Sequence, residues 1–134
     1  MLLFSYERFV THNKRKYCMN INDKTDDEIK QIALPVWETL IEASIEGDYD
    51  KFIENFSPHV LLNINQQEAA DKFVKDELTR SLSKEYDFLG LLRRGQTVTC
   101  LFKVRSTARD GEWLGRMVIG DDAGEIKIFA SSIF

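Results

Sequence analysis

Residues 97–134 read TVTC LFKVRSTARD GEWLGRMVIG DDAGEIKIFA SSIF, and the period of this stretch decides the fold. Apolar side chains recur at every second position, as in a strand with one buried face. Asp110-Gly111 and Asp121-Asp122-Ala123-Gly124 interrupt the alternation. Asp-Gly between alternating runs is the strongest short-range hairpin signal. The same period reaches back to Glu85 across Arg94-Gly95. Four antiparallel strands follow, at about 85–93, 97–108, 112–119 and 125–133.

Upstream the period changes. From Ile29 to Ile45 the apolar residues fall at helical spacing, with Ser44 the weak position. Thr25 and Glu28 form a capping box, and Gly47 supplies a left-handed end. Pro35 predicts a kink or a fresh start. Asp48 caps a second helix with Tyr49, Phe52, Ile53 and Phe56 on its apolar face. Ser57-Pro58 stops it. Val60, Leu62 and Ile64 alternate as a short strand. Asn65 opens a third helix that buries Ala70, Phe73, Val74 and Leu78.

The order is helix, helix, strand, helix, then a four-stranded meander, an α+β class. It resembles the NTF2-like (SnoaL/ketosteroid-isomerase-like) superfamily. Glu46-Gly47-Asp48 is similar to the helix-Gly-Asp-helix join of that family. Phe56-Ser57-Pro58-His59-Val60 resembles its aromatic loop, and Asp122-Ala123-Gly124-Glu125-Ile126 its last hairpin. The resemblance covers about residues 26–134. It implies a cone, or cystatin-like α+β roll: a curved, mainly antiparallel sheet packed on three helices. It also implies dimerisation through the outer sheet face. Isomerase-like members place a carboxylate base after the first strand and a tyrosine on the first helix. This chain has Asn63, Ile64 and Leu40 there, so isomerase chemistry is not expected.

Composition bounds the remainder. A chain of 134 residues with 43% hydrophobic and 30% charged residues is one ordinary globular domain. It buries roughly 70% of its unfolded surface, so it needs neither disulfide nor metal to fold. The net charge of -4 argues against nucleic acid as a partner. No apolar run suits a membrane span. Cys18 and Cys100 lack metal-ligand spacing, and His12 and His59 do not complete a set. No cofactor or metal is expected, and free thiols fit the cytoplasm.

Residues 1–22 carry a balance of +3 and the remainder -7. They read as an appendage to a single domain at 23–134. Either Met19 is the natural start, or Leu2, Leu3, Tyr6, Phe9 and Val10 form a docked helix. A basic tail that binds a membrane or RNA is the third reading.

Turns centred on Asp110-Gly111 and on Asp122-Ala123 set an expected register. Inward rows are then Phe102–Ile119–Ile126, Val104–Met117–Ile128, Ser106–Gly115–Ala130 and Ala108–Trp113–Ser132. The row of small side chains leaves space. Either a helix approaches there, with Trp37 or Phe73 in the gap, or a pocket opens for a small apolar ligand. The candidate pocket residues are Trp37, His59, Ser106, Trp113, Gly115, Met117 and Ala130. His59 sits at the cone mouth, with no acidic residue at close spacing.

The outer face carries Leu101, Leu114, Val118 and Phe129, with Arg105 opposite Arg116. A two-fold dimer would cover the apolar groups and bring Asp87 or Glu112 to the arginines. The competing arrangement is a monomer whose own segment from Leu2 to Val10 covers the patch. Three functions follow: a non-catalytic binding or accessory dimer, an enzyme with a non-standard cone around His59 and Trp113, or a toxin-immunity or similar interaction protein.

Overall fold

The computed structural model describes residues 20–134. The docked helix at Leu2–Val10, the start at Met19, and Cys18 and His12 lie outside the described residues. After a 3-10 turn at Ile21–Asp23 come α1 (Asp26–Glu46), α2 (Tyr49–Ile53), α3 (Pro58–Leu61), α4 (Gln66–Lys75) and α5 (Glu77–Arg80). The strands are β1 (Leu82–Arg94), β2 (Thr97–Ser106), β3 (Trp113–Asp122) and β4 (Glu125–Ile133). They form one antiparallel sheet in the order β1-β2-β3-β4.

α1 begins with the expected box. The Thr25 hydroxyl accepts from the Glu28 N–H at 3.2 Å, and Glu28 accepts from the Thr25 N–H at 2.9 Å. The helix runs unbroken through Pro35, so no fresh start occurs there. Gly47 ends it at φ 71°. The Arg80 guanidinium lies against Gly47 and donates to the Ile45 carbonyl at 3.3 Å. Asp48 caps α2 by accepting from the Lys51 N–H at 3.1 Å.

The strand expected at Val60–Ile64 is not formed. Ser57 caps α3 and Pro58 occupies its first turn, a favoured helix start. Leu62 is consequently 80% exposed. The chain instead touches the sheet just before α3. A parallel bridge joins Phe56 to Ile128, and the Ser57 N–H donates to the Ile128 carbonyl at 2.8 Å. The third helix is also shorter than expected. Asp76 closes α4 and caps α5, which leaves Ala69 and Phe73 buried and Val74 exposed.

The β2–β3 register differs from expectation by four residues. Val104 lies opposite Trp113, Phe102 opposite Gly115 and Cys100 opposite Met117. The cause is local. Ser106 Oγ accepts from the N–H groups of Ala108 and Arg109 at 3.0 and 3.2 Å, and the Thr107 N–H donates to the Ser81 carbonyl. The turn therefore starts at Ser106, ahead of Asp110-Gly111. An even shift keeps each side chain on its face and changes only its partners.

In β4 a bulge follows Ile128, because Ile119 pairs with Ile128 but Val118 with Ala130. The extra residue reverses the facing of the strand end. Ala130 thus joins the outer row with Val118, and Ser131 turns inward to Met117. The inner rows become Phe102–Gly115–Ile133, Cys100–Met117–Ser131 and Val98–Ile119–Ile128. The core lies between this face and the helices, built around Trp37, Phe52, Phe56, Phe73, Phe102 and Met117, all at most 2% exposed.

Candidate functional site

The inner face was the expected place for a ligand. At its centre Gly115 has no side chain, and the Trp37 indole occupies the space. An atom placed at the Cβ position of Gly115 would lie 2.6 Å from Trp37 Cη2 and Cζ2. The indole stacks on Phe102, with ring centroids 4.2 Å apart and planes 2° from parallel. α1 thus approaches the sheet at the glycine and fills the gap. Trp37 Nε1 is buried and makes no hydrogen bond within the structure.

The seven expected pocket residues do not all converge. Trp37, Gly115 and Met117 lie in the core, and Trp113 is partly buried beside it. The bulge turns Ala130 to the outer face. Ser106 leaves the row and shares a 2.8 Å hydrogen bond with Ser81. His59 lies exposed on α3.

His59 nevertheless has a carboxylate neighbour that its sequence context hid. Asp122, from the β3–β4 hairpin, accepts from Ser57 Oγ at 2.6 Å, and His59 Nδ1 lies 3.2 Å from the same oxygen. A serine, a histidine and an aspartate meet here, but not as a nucleophilic relay. The serine proton points to the carboxylate rather than the imidazole, so His59 does not act as base on Ser57. The cluster ties the start of α3 to the last hairpin.

No Asp, Glu, Lys, Arg or His is buried among the described residues. The Cys100 thiol, on the inner face, is pushed up to about 12 by burial. It therefore stays protonated near neutrality and is a poor nucleophile. Between α1 and β1 lies a cavity of about 160 Å³ lined by Glu38, Ile41, Glu42, Lys84 and Tyr86. Tyr86 donates to Glu38 at 2.7 Å, and its phenol is pushed up to about 12 by burial and then by Glu38. The space suits a few waters, at about 30 Å³ each, whereas pockets for drug-sized ligands run from about 300 Å³. No group of three potential metal ligands occurs among the described residues. No described helix is long and apolar enough to cross a membrane.

The outer face has a different character. One row reads Leu92–Thr99–Val118–Ala130 and the next Gly90–Leu101–Arg116–Ser132. Arg116 therefore faces Leu101 and donates to Ser132 Oγ at 3.3 Å, so it does not oppose Arg105. Arg105 has carboxylates within its own chain, Asp87 at 3.0 Å and Glu112 at 3.8 Å, and Lys103 lies 3.5 Å from Glu112. Leu114 is exposed, Leu101 is half-buried, and Val118 and Phe129 are buried. Phe129 Cε2 and Thr97 Cγ2 both sit over Gly120 on this face. Ion pairs thus flank the apolar centre at the Arg105 end of the face.

No family model matches the chain, and no curated protein matches it. Among solved structures, a designed NTF2-fold protein superposes with a TM-score of 0.57 at 17% identity. The match covers 79% of this chain and 99% of the other. The fold is therefore NTF2-like: an α+β arrangement of a curved four-stranded antiparallel sheet and helices.

Proposed function

We propose that the chain is a non-catalytic binding module on the NTF2-like fold, that its working surface is the outer face of the sheet, and that its partner there is a second copy. The observation that carries this reading is Trp37. By filling the space at Gly115 it occupies the centre of the inner face, and among the described residues no ionisable side chain is buried beside it except the protonated Cys100 thiol. A cone enzyme needs a titratable group within reach of its substrate. The apolar centre and charged rim of the outer face match the anatomy of protein interfaces. The small-ligand part of the reading falls to the inner face only if Trp37 moves. The free Cys100 thiol agrees with a reducing cytoplasm.

Sedimentation of the full chain from 1 to about 300 μM tests the reading. The expected result is a reversible rise toward twice the chain mass, weakened at least tenfold by Leu114→Glu, where a carboxylate replaces an exposed apolar group (about 1.4 kcal/mol per tenfold). A single-chain mass at every concentration would refute it.

A further inference from the structure

β1 is an edge strand, since among the described residues only β2 pairs with it. The opposite edge differs, because the backbone of Ile128 in β4 is bonded to Asn55 and Ser57. β1 is 13 residues long, and its middle, Phe88-Leu89-Gly90-Leu91-Leu92, holds no charge and no proline. Leu89 is 53% exposed and Leu92 43%. A long apolar edge without such guards is a template for another strand.

Three features of β1 fit a second copy of itself. The first is charge. Arg93 is taken by Asp26, Asp87 by Arg105, and Lys84 lines the cleft beside Glu38 and Glu42. Glu85 and Arg94, toward opposite ends of the strand, are exposed and are left without an ion pair among the described residues. An antiparallel copy brings the glutamate of each chain to the arginine of the other, about a two-fold axis between Leu89 and Gly90. The second is facing. Residues directly opposite in a ladder share one face of the sheet. Glu85 and Arg94 are an odd number of positions apart and would face opposite sides of a regular strand. The bulge between Phe88 and Gly90 adds one residue and turns both outward. The third is the direction of the backbone groups. Bonded and non-bonded pairs alternate along an antiparallel ladder, and residues of the non-bonded pairs turn N–H and C=O away from their partner. Arg94 and Thr97 close the β1–β2 turn as a bonded pair. Counted from there, Arg93, Leu91, Phe88 and Tyr86 turn theirs to the open edge. The register that joins Glu85 to Arg94 sets Phe88 opposite Leu91 of the copy and Tyr86 opposite its Arg93.

We propose that the open edge of β1 is a second surface for self-association, at which two copies pair antiparallel and join their sheets into one. It goes beyond the pairing of outer faces and does not depend on it, since Leu114 and Phe129 lie on β3 and β4. A single ladder buries less than a whole face, so edge pairing sets in at higher concentration than face pairing.

Amide hydrogen exchange of the full chain carrying Leu114→Glu, from about 10 μM to about 1 mM, reads the edge with face pairing weakened. Protection of the Tyr86, Phe88, Leu91 and Arg93 amides should rise at least threefold with concentration. The Asp87 and Leu92 amides, already bonded to β2, should not change. Glu85→Arg or Arg94→Glu alone sets like charges opposite one another and should abolish the rise, whereas the double variant exchanges the pair and should restore it. Exchange of the four amides that is independent of concentration would overturn edge pairing. A double variant as impaired as the single ones would overturn the register. Face pairing fails separately, when the wild-type chain associates no more tightly than Leu114→Glu, whatever the β1 amides do.

Discussion

At Gly115 a single methyl group would collide with the indole of Trp37. Gly115→Ala should therefore destabilise by about 1–3 kcal/mol through overpacking, and Trp37→Ala by about 3–5 kcal/mol through loss of a buried ring. Because the two side chains share one space, the double variant should cost less than the sum, by 0.5 kcal/mol or more, in urea unfolding. Additive costs would show that the ring and the glycine do not interact. Cys100 allows a pH test. Burial raises its thiol from 9.0 to about 12, so the folded state holds the proton more tightly than the unfolded state. The associated stability is complete below pH 9 and is lost as pH rises toward 12, with a slope of up to about 1.4 kcal/mol per pH unit. Cys100→Ala should flatten that decline, and an unaltered alkaline slope would refute the assignment. The small residue at 115 was legible as a gap, with Trp37 or Phe73 as its occupant if a helix approached. Which of these outcomes holds was not legible, since nothing local to Gly115 or Trp37 says that they meet.

Elements show a similar division. The box of Thr25 and Glu28, the left-handed Gly47 and the Asp48 cap are local chemistry, and all formed where the residues indicated. Thr25→Ala should cost about 0.5–2 kcal/mol by thermal unfolding. The Glu28 carboxyl is held below its ordinary value, first by the Thr25 backbone N–H and then by its hydroxyl. Its contribution is thus present above the unfolded value of 4.5 and lost as pH falls through the lowered one. α3 was misread because alternation at Val60, Leu62 and Ile64 suits a strand, yet Ser57 with Pro58 starts a helix more decisively. Asp122 then holds that start in place. Asp122→Ala removes the acceptor of the buried Ser57 hydroxyl and should cost about 1–3 kcal/mol. His59→Ala, at a side chain open to water, should stay within about 0.5 kcal/mol. Equal costs in denaturant titrations would show that the imidazole, rather than the serine, anchors α3.

For the whole molecule, the helices and the inner face form the core, and the outer face carries the proposed pairing. Disruption at the outer rim should therefore be read out in association rather than in folding. Leu114→Glu should leave the unfolding midpoint of the monomer within about 0.5 kcal/mol of wild type while it weakens the dimer. A large loss of monomer stability would mean that Leu114 is anchored within its own chain. What the sequence determined by itself was the α+β class, the ends of α1 and the start of α2, the four strands, and the face of the residues of β2, β3 and the first half of β4. Caps and turns are chemistry between near neighbours, and facing along a strand follows from parity alone. Only the tertiary structure decided that Phe102 and Ile133 flank Gly115, that Ala130 turns outward, that Asp122 meets Ser57 and His59, and that Trp37 closes the cone. Register depends on where Ser106 turns the chain, and a one-residue bulge reverses a strand end without any mark in the alternation before it. The contacts at Gly115 and Asp122 join residues distant in the chain, so they exist only once helices and sheet have packed.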